Sequence, residues 1–249
     1  MIRFEQVTKS FGAQPILNGV DLTFPKGKIS VVIGRSGAGK SVILKHVMGF
    51  IKPDNGKIWI GGEDTSEWDQ KTWRHNRKRF GMLFQDSALF DSMDVMENVA
   101  FPLREHTHKS EEEIQTLVME KLKLVGLVNA EKKATTDLSG GMRKRVGLAR
   151  AIALDPEVVL FDEPSSGLDP IVTHVIDQLI LDTQAQTGCT YVVISHDMAS
   201  AYRIADKITM LYEGKVVFDD TTQAAQNTDN PLVRQFVEGQ LNGPFNIYY

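Results

Sequence analysis

The sequence predicts an α/β fold built on a buried, parallel sheet that is flanked by helices. The run Ile29–Ile33 is almost wholly apolar, which is typical of a strand covered on both faces, and a helical pattern follows from Ser41 to Phe50. After Pro156 strand and helix patterns alternate, as a parallel sheet requires. These segments are strand Val158–Phe161, helix Val172–Gln186, strand Tyr191–Ser195, helix Met198–Ala205, and strands Ile208–Tyr212 and Lys215–Phe218.

An antiparallel β part is predicted in front of this core. Ile2–Val7 and Val20–Phe24 alternate between apolar and polar residues, which is the pattern of half-buried strands. Lys57–Gly62 has the character of a further hairpin arm. These segments predict a small antiparallel β subdomain.

A helical subdomain is predicted as an insertion at about residues 90–154. Ser110 and Glu113 have the spacing of a capping box, which marks a helix start. A last amphipathic helix is predicted over Pro231–Gln240, followed by a tail over residues 242–249. The expected organisation is one domain over residues 1–241 with a C-terminal tail.

Composition excludes several classes of protein. The chain has 249 residues, a formal charge of −4, and a single cysteine. An acidic chain lacks the basic footprint of a general nucleic-acid binder, so we expect no nucleic-acid partner. Cys189 cannot form an internal disulfide, and no apolar run approaches the ~20 residues that span a bilayer. The expectation is a soluble, cytosolic protein.

The segment Gly34–Ser41 matches the phosphate-loop pattern, a glycine followed by four residues and then Gly-Lys-Ser. It follows a buried strand and opens a helix, so its backbone N–H groups and the helix dipole are expected to face a nucleotide phosphate. Lys40 would neutralise β- and γ-phosphate oxygens, and Ser41 would hold Mg²⁺. The predicted loop residues are Gly34, Arg35, Ser36, Gly37, Ala38, Gly39, Lys40 and Ser41.

Two carboxylates follow the apolar run Val158–Phe161. In a parallel sheet they would emerge at the carboxyl edge, beside the phosphate loop. Asp162 is expected to bind Mg²⁺ through water, and Glu163 to polarise the water that attacks the γ-phosphate.

A second anion site is predicted where Leu138-Ser139-Gly140-Gly141-Met142 opens a helix. Ser139 also serves as a helix N-cap, so a purely structural role is the competing interpretation. A phosphate-loop protein does not need two anion sites in one chain to bind one ATP, so this second site sets the chain apart from other phosphate-loop proteins.

With these motifs the sequence resembles the ATP-binding cassette (ABC) ATPases over about residues 2–240. The resemblance implies a P-loop NTPase fold and a head-to-tail homodimer, in which Ser139, Gly140 and Gly141 of one copy complete the ATP site of the other. It also assigns roles to further residues. Phe11 would stack on adenine, Gln85 would touch Mg²⁺ and sense a membrane partner, Ser165–Asp169 would form the D-loop, and His196 would contact the γ-phosphate.

The segment Leu138–Met142, which corresponds to the signature of the family, departs from the usual family pattern at one residue. Met142 stands where the family usually has glutamine. The change removes an amide near the nucleotide but keeps Ser139, Gly140 and Gly141. We therefore expect a modest effect on the affinity for ATP and no loss of ATPase activity.

A closer resemblance is to the ATPases of the Mla (maintenance of lipid asymmetry) phospholipid transport group and other MCE-type lipid transporters. It rests on the segments 83–107 and 230–244 and on the signature that ends in Met142. The resemblance implies an ATPase that powers phospholipid transport between the inner and outer membranes of a Gram-negative bacterium. It would act at the cytoplasmic face of the inner membrane, with a permease, an MCE-domain protein and a small STAS-domain protein. The tail 242–249 would reach the neighbouring ATPase and help to hold the dimer, and a disordered tail is the competing interpretation.

Other functions stay open at this stage. An ATPase of an amino-acid or metal importer shares the core motifs, and only the segments named above argue against it. A DNA-repair or chromosome ATPase would carry a long coiled coil between the two halves of its site, whereas only residues 41–161 separate Lys40 from Asp162. An ATP-binding scaffold without turnover is disfavoured because every catalytic position is filled.

Overall fold

The computed structural model describes residues 1–245, which divide into two compact units. The first comprises Met1–Trp68 and the chain from Ile194 onward, and the second comprises Asp69–Val193. The predicted tail 242–249 therefore lies partly outside the described residues. Its expected role in holding a dimer stays a prediction, as do the predicted domain boundaries.

Strands in the described chain occur in both units. They are β1 (Ile2–Phe11), β2 (Gln14–Phe24), β3 (Ile29–Ile33), β4 (Asn55–Ile60), β5 (Glu63–Asp64), β6 (Phe80–Leu83), β7 (Val158–Asp162), β8 (Thr190–Ile194), β9 (Lys207–Tyr212) and β10 (Lys215–Thr221).

Helices separate most of these strands. The α-helices are α1 (Lys40–Val47), α2 (Gln70–Asn76), α3 (Val95–His106), α4 (Glu111–Leu124), α5 (Gly140–Ala151), α6 (Pro170–Thr187), α7 (Met198–Ile204), α8 (Thr222–Gln226) and α9 (Pro231–Glu238). Short 3₁₀ turns cover Thr65–Glu67, Arg77–Arg79 and Thr135–Asp137.

The first unit contains an antiparallel sheet with strand order β2-β1-β4-β5. It also contains the strand order β10-β9-β3, in which β3 and β9 are parallel and β9 and β10 are antiparallel. All five residues of β3 are buried, which confirms the prediction for Ile29–Ile33. This unit carries the antiparallel β part that the sequence predicts.

The second unit contains the strand order β8-β7-β6 together with helices α2 to α6. Strands β6 and β7 are parallel, with Phe80 paired to Val158 and Leu83 to Phe161. Helices α3 and α4 begin with complete capping boxes, at Asp94 with Glu97 and at Ser110 with Glu113. The helix start predicted at Ser110 is therefore confirmed.

The predicted strands Ile2–Val7 and Val20–Phe24 are too short. β1 and β2 continue to a turn at Gly12, and their register shifts at β-bulges along the way. Gln6 has a left-handed backbone, with φ of 48°, and donates from its backbone N–H to Asp21 at 2.8 Å. A bulge breaks the period of two, so the alternation fades although the strand goes on.

Three other element predictions need correction. Gly61 and Gly62 have positive φ and form the turn between β4 and β5, so the strand predicted to Gly62 ends at Ile60. Helix α9 ends at Glu238 because Gly239 adopts the left-handed conformation, with φ of 64°. The third difference is helix α2, for which the sequence analysis predicts no element. Its cap is Asp69, which accepts from the Thr72 N–H at 2.7 Å.

The described end of the chain folds back onto the first unit. Phe245 is buried against Tyr212 and Phe236, with ring centroids 4.8 and 6.2 Å away. Its N–H donates to Gln235 Oε1 at 2.8 Å. The residues up to Phe245 are thus held by contacts within the chain itself.

Candidate nucleotide-binding and catalytic site

The phosphate loop joins β3 to α1 in the first unit, in the strand–loop–helix order that the sequence predicts. Arg35, Ser36 and Gly37 form its exposed part, whereas Lys40 is only 7% exposed. Lys40 Nζ donates to the carbonyls of Gly34 at 2.8 Å and Arg35 at 3.1 Å. The amine therefore lies across the loop, beside the N-terminus of α1, where an anion is stabilised.

Two glycines of this loop are required by close backbone contacts. Gly34 has φ of 148°, and a Cβ there would lie 2.4 Å from the carbonyl oxygen of Leu211. Gly39 has φ of 101°, and its Cβ would lie 3.0 Å from the carbonyl oxygen of Ile16 and 2.9 Å from Leu17 Cδ2. At Gly37, by contrast, an added Cβ would meet nothing within 4 Å, so this part of the loop stays open. Gly34 and Gly39 are thus required by packing within the first unit, and the binding of a phosphate group by this loop stays a prediction.

His196 and Phe11 also lie in the first unit. His196 is exposed directly after β8, between Ser195 and Asp197. The N–H of Ser195 donates to the carbonyl of Val32 in β3 at 3.2 Å, and Ser195 Oγ accepts from the Asp197 N–H at 3.0 Å. Phe11 ends β1 with half of its surface exposed, so its ring is accessible for stacking.

The paired carboxylates lie at the end of β7 in the second unit. Four buried residues lead to Asp162 and Glu163, which are both half-buried. Glu163 has a left-handed backbone with φ of 52°, a conformation that is strained for a residue with a side chain. Its carbonyl accepts from the Ser166 N–H at 3.1 Å. Such strain at a strand end is typical of functional sites.

Gln85 belongs to the same unit and lies close to this turn. Its Nε2 donates to Ser166 Oγ at 3.4 Å, which links the segment after β6 to the segment after β7. Lys144 Nζ donates to the carbonyls of both Gln85 and Glu163, the latter at 3.4 Å. We did not identify Lys144 as a site residue from the sequence, where it stands in a basic run of a helix.

The environment of Lys144 is unusual for an amine. The residue is 5% exposed, and burial lowers its pKa, while the negative charges of Asp86, Glu163 and Asp162 oppose that shift. Three carboxylates therefore act electrostatically on one buried amine.

The predicted signature residues open helix α5, also in the second unit. Ser139 Oγ accepts from the Met142 N–H at 3.3 Å, so Ser139 does act as an N-cap. A Cβ at Gly140 would lie 3.2 Å from Leu168, and one at Gly141 would lie 2.8 Å from Val172. The two glycines therefore also permit close packing within the unit, a requirement that the motif alone does not reveal.

The donor chemistry fits Mg²⁺ carried by a nucleotide. Within residues 1–245, no cluster of three or more His, Cys, Asp or Glu side chains is arranged to hold a metal by itself. Mg²⁺ is usually bound through one or two carboxylates together with substrate phosphates and water. The Ser41 hydroxyl and the Asp162 carboxylate are oxygen donors of this kind.

Comparisons with known proteins agree with these features. The ABC transporter family matches residues 17–166. A probable ribonucleotide transport ATP-binding protein, Mkl of Mycobacterium tuberculosis, is 47% identical over 99% of this chain and 68% of its own length. The intermembrane phospholipid transport system ATP-binding protein MlaF of Escherichia coli is 41% identical over all of this chain and 93% of its own length.

Solved structures give the same result. A dimeric post-hydrolysis state of the ATP-binding cassette MJ0796, bound to ADP and Pi, has a TM-score of 0.81 at 30% identity, covering 89% of this chain and 99% of its own. CbiO1 of Clostridium perfringens, part of the ABC transporter complex CbiONQ, has a TM-score of 0.86 at 26% identity, covering 96% of this chain and 95% of its own. The chain belongs to the ABC transporter family, and its class is the ATP-hydrolysing cassette.

The predicted fold class and ATPase activity are thereby confirmed, whereas the roles of individual residues stay predictions. Among residues 1–245, no helix combines the length and the apolar character that crossing a bilayer requires.

Proposed function

We propose that this chain is the ATPase that powers phospholipid transport between the inner and outer membranes of a Gram-negative bacterium. The observation that carries the proposal is the 41% identity to the phospholipid transport protein MlaF, which extends over the whole chain and nearly all of the relative. Two copies would work beneath a membrane permease, with an MCE-domain protein and a small STAS-domain protein. The chain itself would lie at the cytoplasmic face of the inner membrane.

In this proposal the first unit binds ATP. The backbone N–H groups of Gly34–Ser41 and the Lys40 amine hold the phosphates, and the ring of Phe11 stacks on adenine. Ser41, Gln85 and Asp162 would hold Mg²⁺, which would neutralise charge on the β- and γ-phosphate oxygens.

The second unit supplies the hydrolytic base. The carboxylate of Glu163 takes a proton from the attacking water, whose oxygen bonds to the γ-phosphorus as the bond to ADP breaks, and His196 would contact the γ-phosphate. Ser139, Gly140 and Gly141 complete the site of the other copy, so ATP binding closes the dimer and hydrolysis reopens it. The segment Asp86–Leu103 receives a cytosolic helix of the permease, which converts closure into lipid movement.

Glu163→Gln tests the catalytic assignment. Replacing the carboxylate with an amide removes the general base, and we expect ATP turnover to fall by about 10²–10⁴-fold while ATP binding survives. Lys40→Ala is the matched comparison, because it removes a charge-assisted contact to phosphate and should weaken ATP binding itself. Phosphate release and binding of a fluorescent ATP analogue measure the two effects. Hydrolysis at the parental rate by Glu163→Gln would contradict the assignment.

The transported substrate needs a separate experiment, since the relative Mkl is named for ribonucleotide transport. The full-length chain is purified from membranes with its bound partners and reconstituted in vesicles. An MCE-domain protein in the complex and ATP-dependent transfer of a fluorescent phospholipid would support the proposal, and the Glu163→Gln complex is the control. ATP-dependent uptake of labelled ribonucleotides without lipid transfer would overturn it, and so would a co-purifying periplasmic amino-acid-binding protein.

A further inference from the structure

The face of helix α5 that carries Lys144, Gly147 and Arg150 contacts the end of β6 and the segment that follows it. Lys144 Nζ donates to the Gln85 carbonyl. One turn later, Gly147 lets the helix approach so closely that a Cβ there would lie 2.6 Å from Leu83 Cδ1 and 3.3 Å from Ser87 Cβ. After two turns, Arg150 donates to the Ser87 carbonyl at 2.7 Å and the Ala88 carbonyl at 2.8 Å. Helix α5 therefore holds this segment at three successive levels.

Only Lys144 among these residues also reaches the turn after β7. Its amine donates to the Glu163 carbonyl at 3.4 Å. Glu163 has a left-handed backbone, so this hydrogen bond is made to a residue whose conformation is otherwise unfavourable. Because Lys144 is buried, it has few alternative partners in water, and its position is fixed by these carbonyls.

We propose that Lys144 is a positioning residue for ATP hydrolysis, which sets the relative position of Gln85 and Glu163 by donating hydrogen bonds to both backbone carbonyls. The proposal rests on the roles proposed above for Gln85 and Glu163. Lys144 does not contact the reacting atoms in this scheme. It acts through the two residues that do, and it lies on the helix whose N-terminus is the signature.

The competing explanation is that Lys144 only stabilises the fold. The two explanations differ in kinetics, because a misplaced general base slows the chemical step without weakening ATP binding. Lys144→Met removes the charge and the donors at nearly constant length. We expect kcat to fall by about 10–100-fold and the KM for ATP to stay within about twofold. Lys144→Arg, which keeps a cation and its donors, should recover part of the lost kcat.

Arg145→Met is the matched control on the same helix. Arg145 also donates to backbone carbonyls, those of Val125 and Gly126 at 3.4 Å, but these lie outside the proposed catalytic residues. This variant should keep kcat and KM, whatever its effect on stability. If Lys144→Met and Arg145→Met change kcat equally, the positioning role is wrong.

A double-mutant cycle separates this inference from the proposed function. If Lys144 acts through Glu163, adding Lys144→Met to Glu163→Gln should lower the residual rate by less than about threefold. Full multiplication of the two losses would show independent action and overturn the inference. Parental activity of Glu163→Gln alone would instead overturn the assignment of the base. Thermal unfolding is recorded for every variant, and if Lys144→Met does not fold, the comparison is made with Lys144→Gln, which keeps one donor without the charge.

Discussion

The conformation of single residues in this chain depends on hydrogen bonds from residues elsewhere in the sequence. Glu163 is the clearest case, since its left-handed backbone costs on the order of 1–3 kcal/mol for a residue with a side chain. The Ser166 N–H and the Lys144 amine both donate to its carbonyl and hold it there. The orientation of the proposed base thus depends on groups that lie outside the Asp-Glu motif.

His46 gives a testable dependence of stability on pH. It is 1% exposed in α1, its Nδ1 lies 2.8 Å from the Val42 carbonyl, and its Nε2 has no hydrogen-bond partner among the described residues. Burial lowers the pKa of the imidazole below its ordinary value near 6.5. The unfolded chain then binds a proton that the folded chain does not. The contribution of the neutral His46 imidazole to the free energy of unfolding is complete above pH 6.5. It is lost as the pH falls from there towards the lower pKa of the folded state.

Urea unfolding at pH 7.5 and 5.5 measures this effect. The free energy of unfolding should fall towards pH 5.5, with a contribution from His46 of at most about 1.4 kcal/mol per pH unit. His46→Gln keeps a donor for the Val42 carbonyl but cannot titrate, so its dependence on pH should be weaker. Identical dependence in both proteins would rule out His46 as the source.

At the scale of elements, helix starts were the most predictable features. The capping box at Ser110 consists of residues three apart, so local sequence is sufficient to identify it. The end of α9 and the long β1–β2 hairpin were predicted less well. The positive φ at Gly239 ends the helix through a backbone conformation that the hydrophobic pattern does not reveal, and the bulge at Gln6 interrupts the alternation of a strand that goes on.

Ser139 and Ser110 both cap helices, so substituting each of them distinguishes an effect on stability from an effect on ATP turnover. Ser139 Oγ accepts from the Met142 N–H and Ser110 Oγ accepts from the Glu113 N–H, both at 3.3 Å. Ser139→Ala and Ser110→Ala should each lower the free energy of unfolding by about 1 kcal/mol. Only Ser139→Ala should slow ATP turnover, because Ser139 is proposed to contact the ATP held by the other copy. Equal turnover in the two variants would leave Ser139 with the role of a helix cap alone.

At the scale of the whole molecule, the residues proposed to bind and hydrolyse ATP are distributed over the two units. The phosphate loop and His196 lie in the first unit, and Gln85, Asp162 and Glu163 in the second. The signature, also in the second unit, is proposed to serve the other copy. A single chain would therefore hold one half of each of two sites.

Mixing inactive chains tests this arrangement. Lys40→Ala disables the phosphate loop, and Ser139→Arg blocks the signature, so each variant alone should be inactive. A mixed dimer keeps one intact site, formed by the phosphate loop of one copy and the signature of the other. Random pairing makes half of the dimers mixed, so activity should recover to about a quarter of the parental value.

The matched control mixes Lys40→Ala with the Lys40→Ala, Ser139→Arg double variant. No combination of these chains contains an intact site, so ATP turnover should stay at background. Equal turnover in the two mixtures would contradict the shared, head-to-tail site.

The sequence by itself determined the fold class and the phosphate loop, because these depend on consecutive residues with a fixed local geometry. Gly34–Ser41 and Val158–Glu163 could be assigned from their own residues and their place after buried strands. The tertiary structure decided what links Gln85 to Glu163, since Lys144 is 59 residues from the first and 19 from the second. No local pattern encodes that contact. It exists because helix α5 is packed closely enough, through Gly147, for one buried amine to reach both loops.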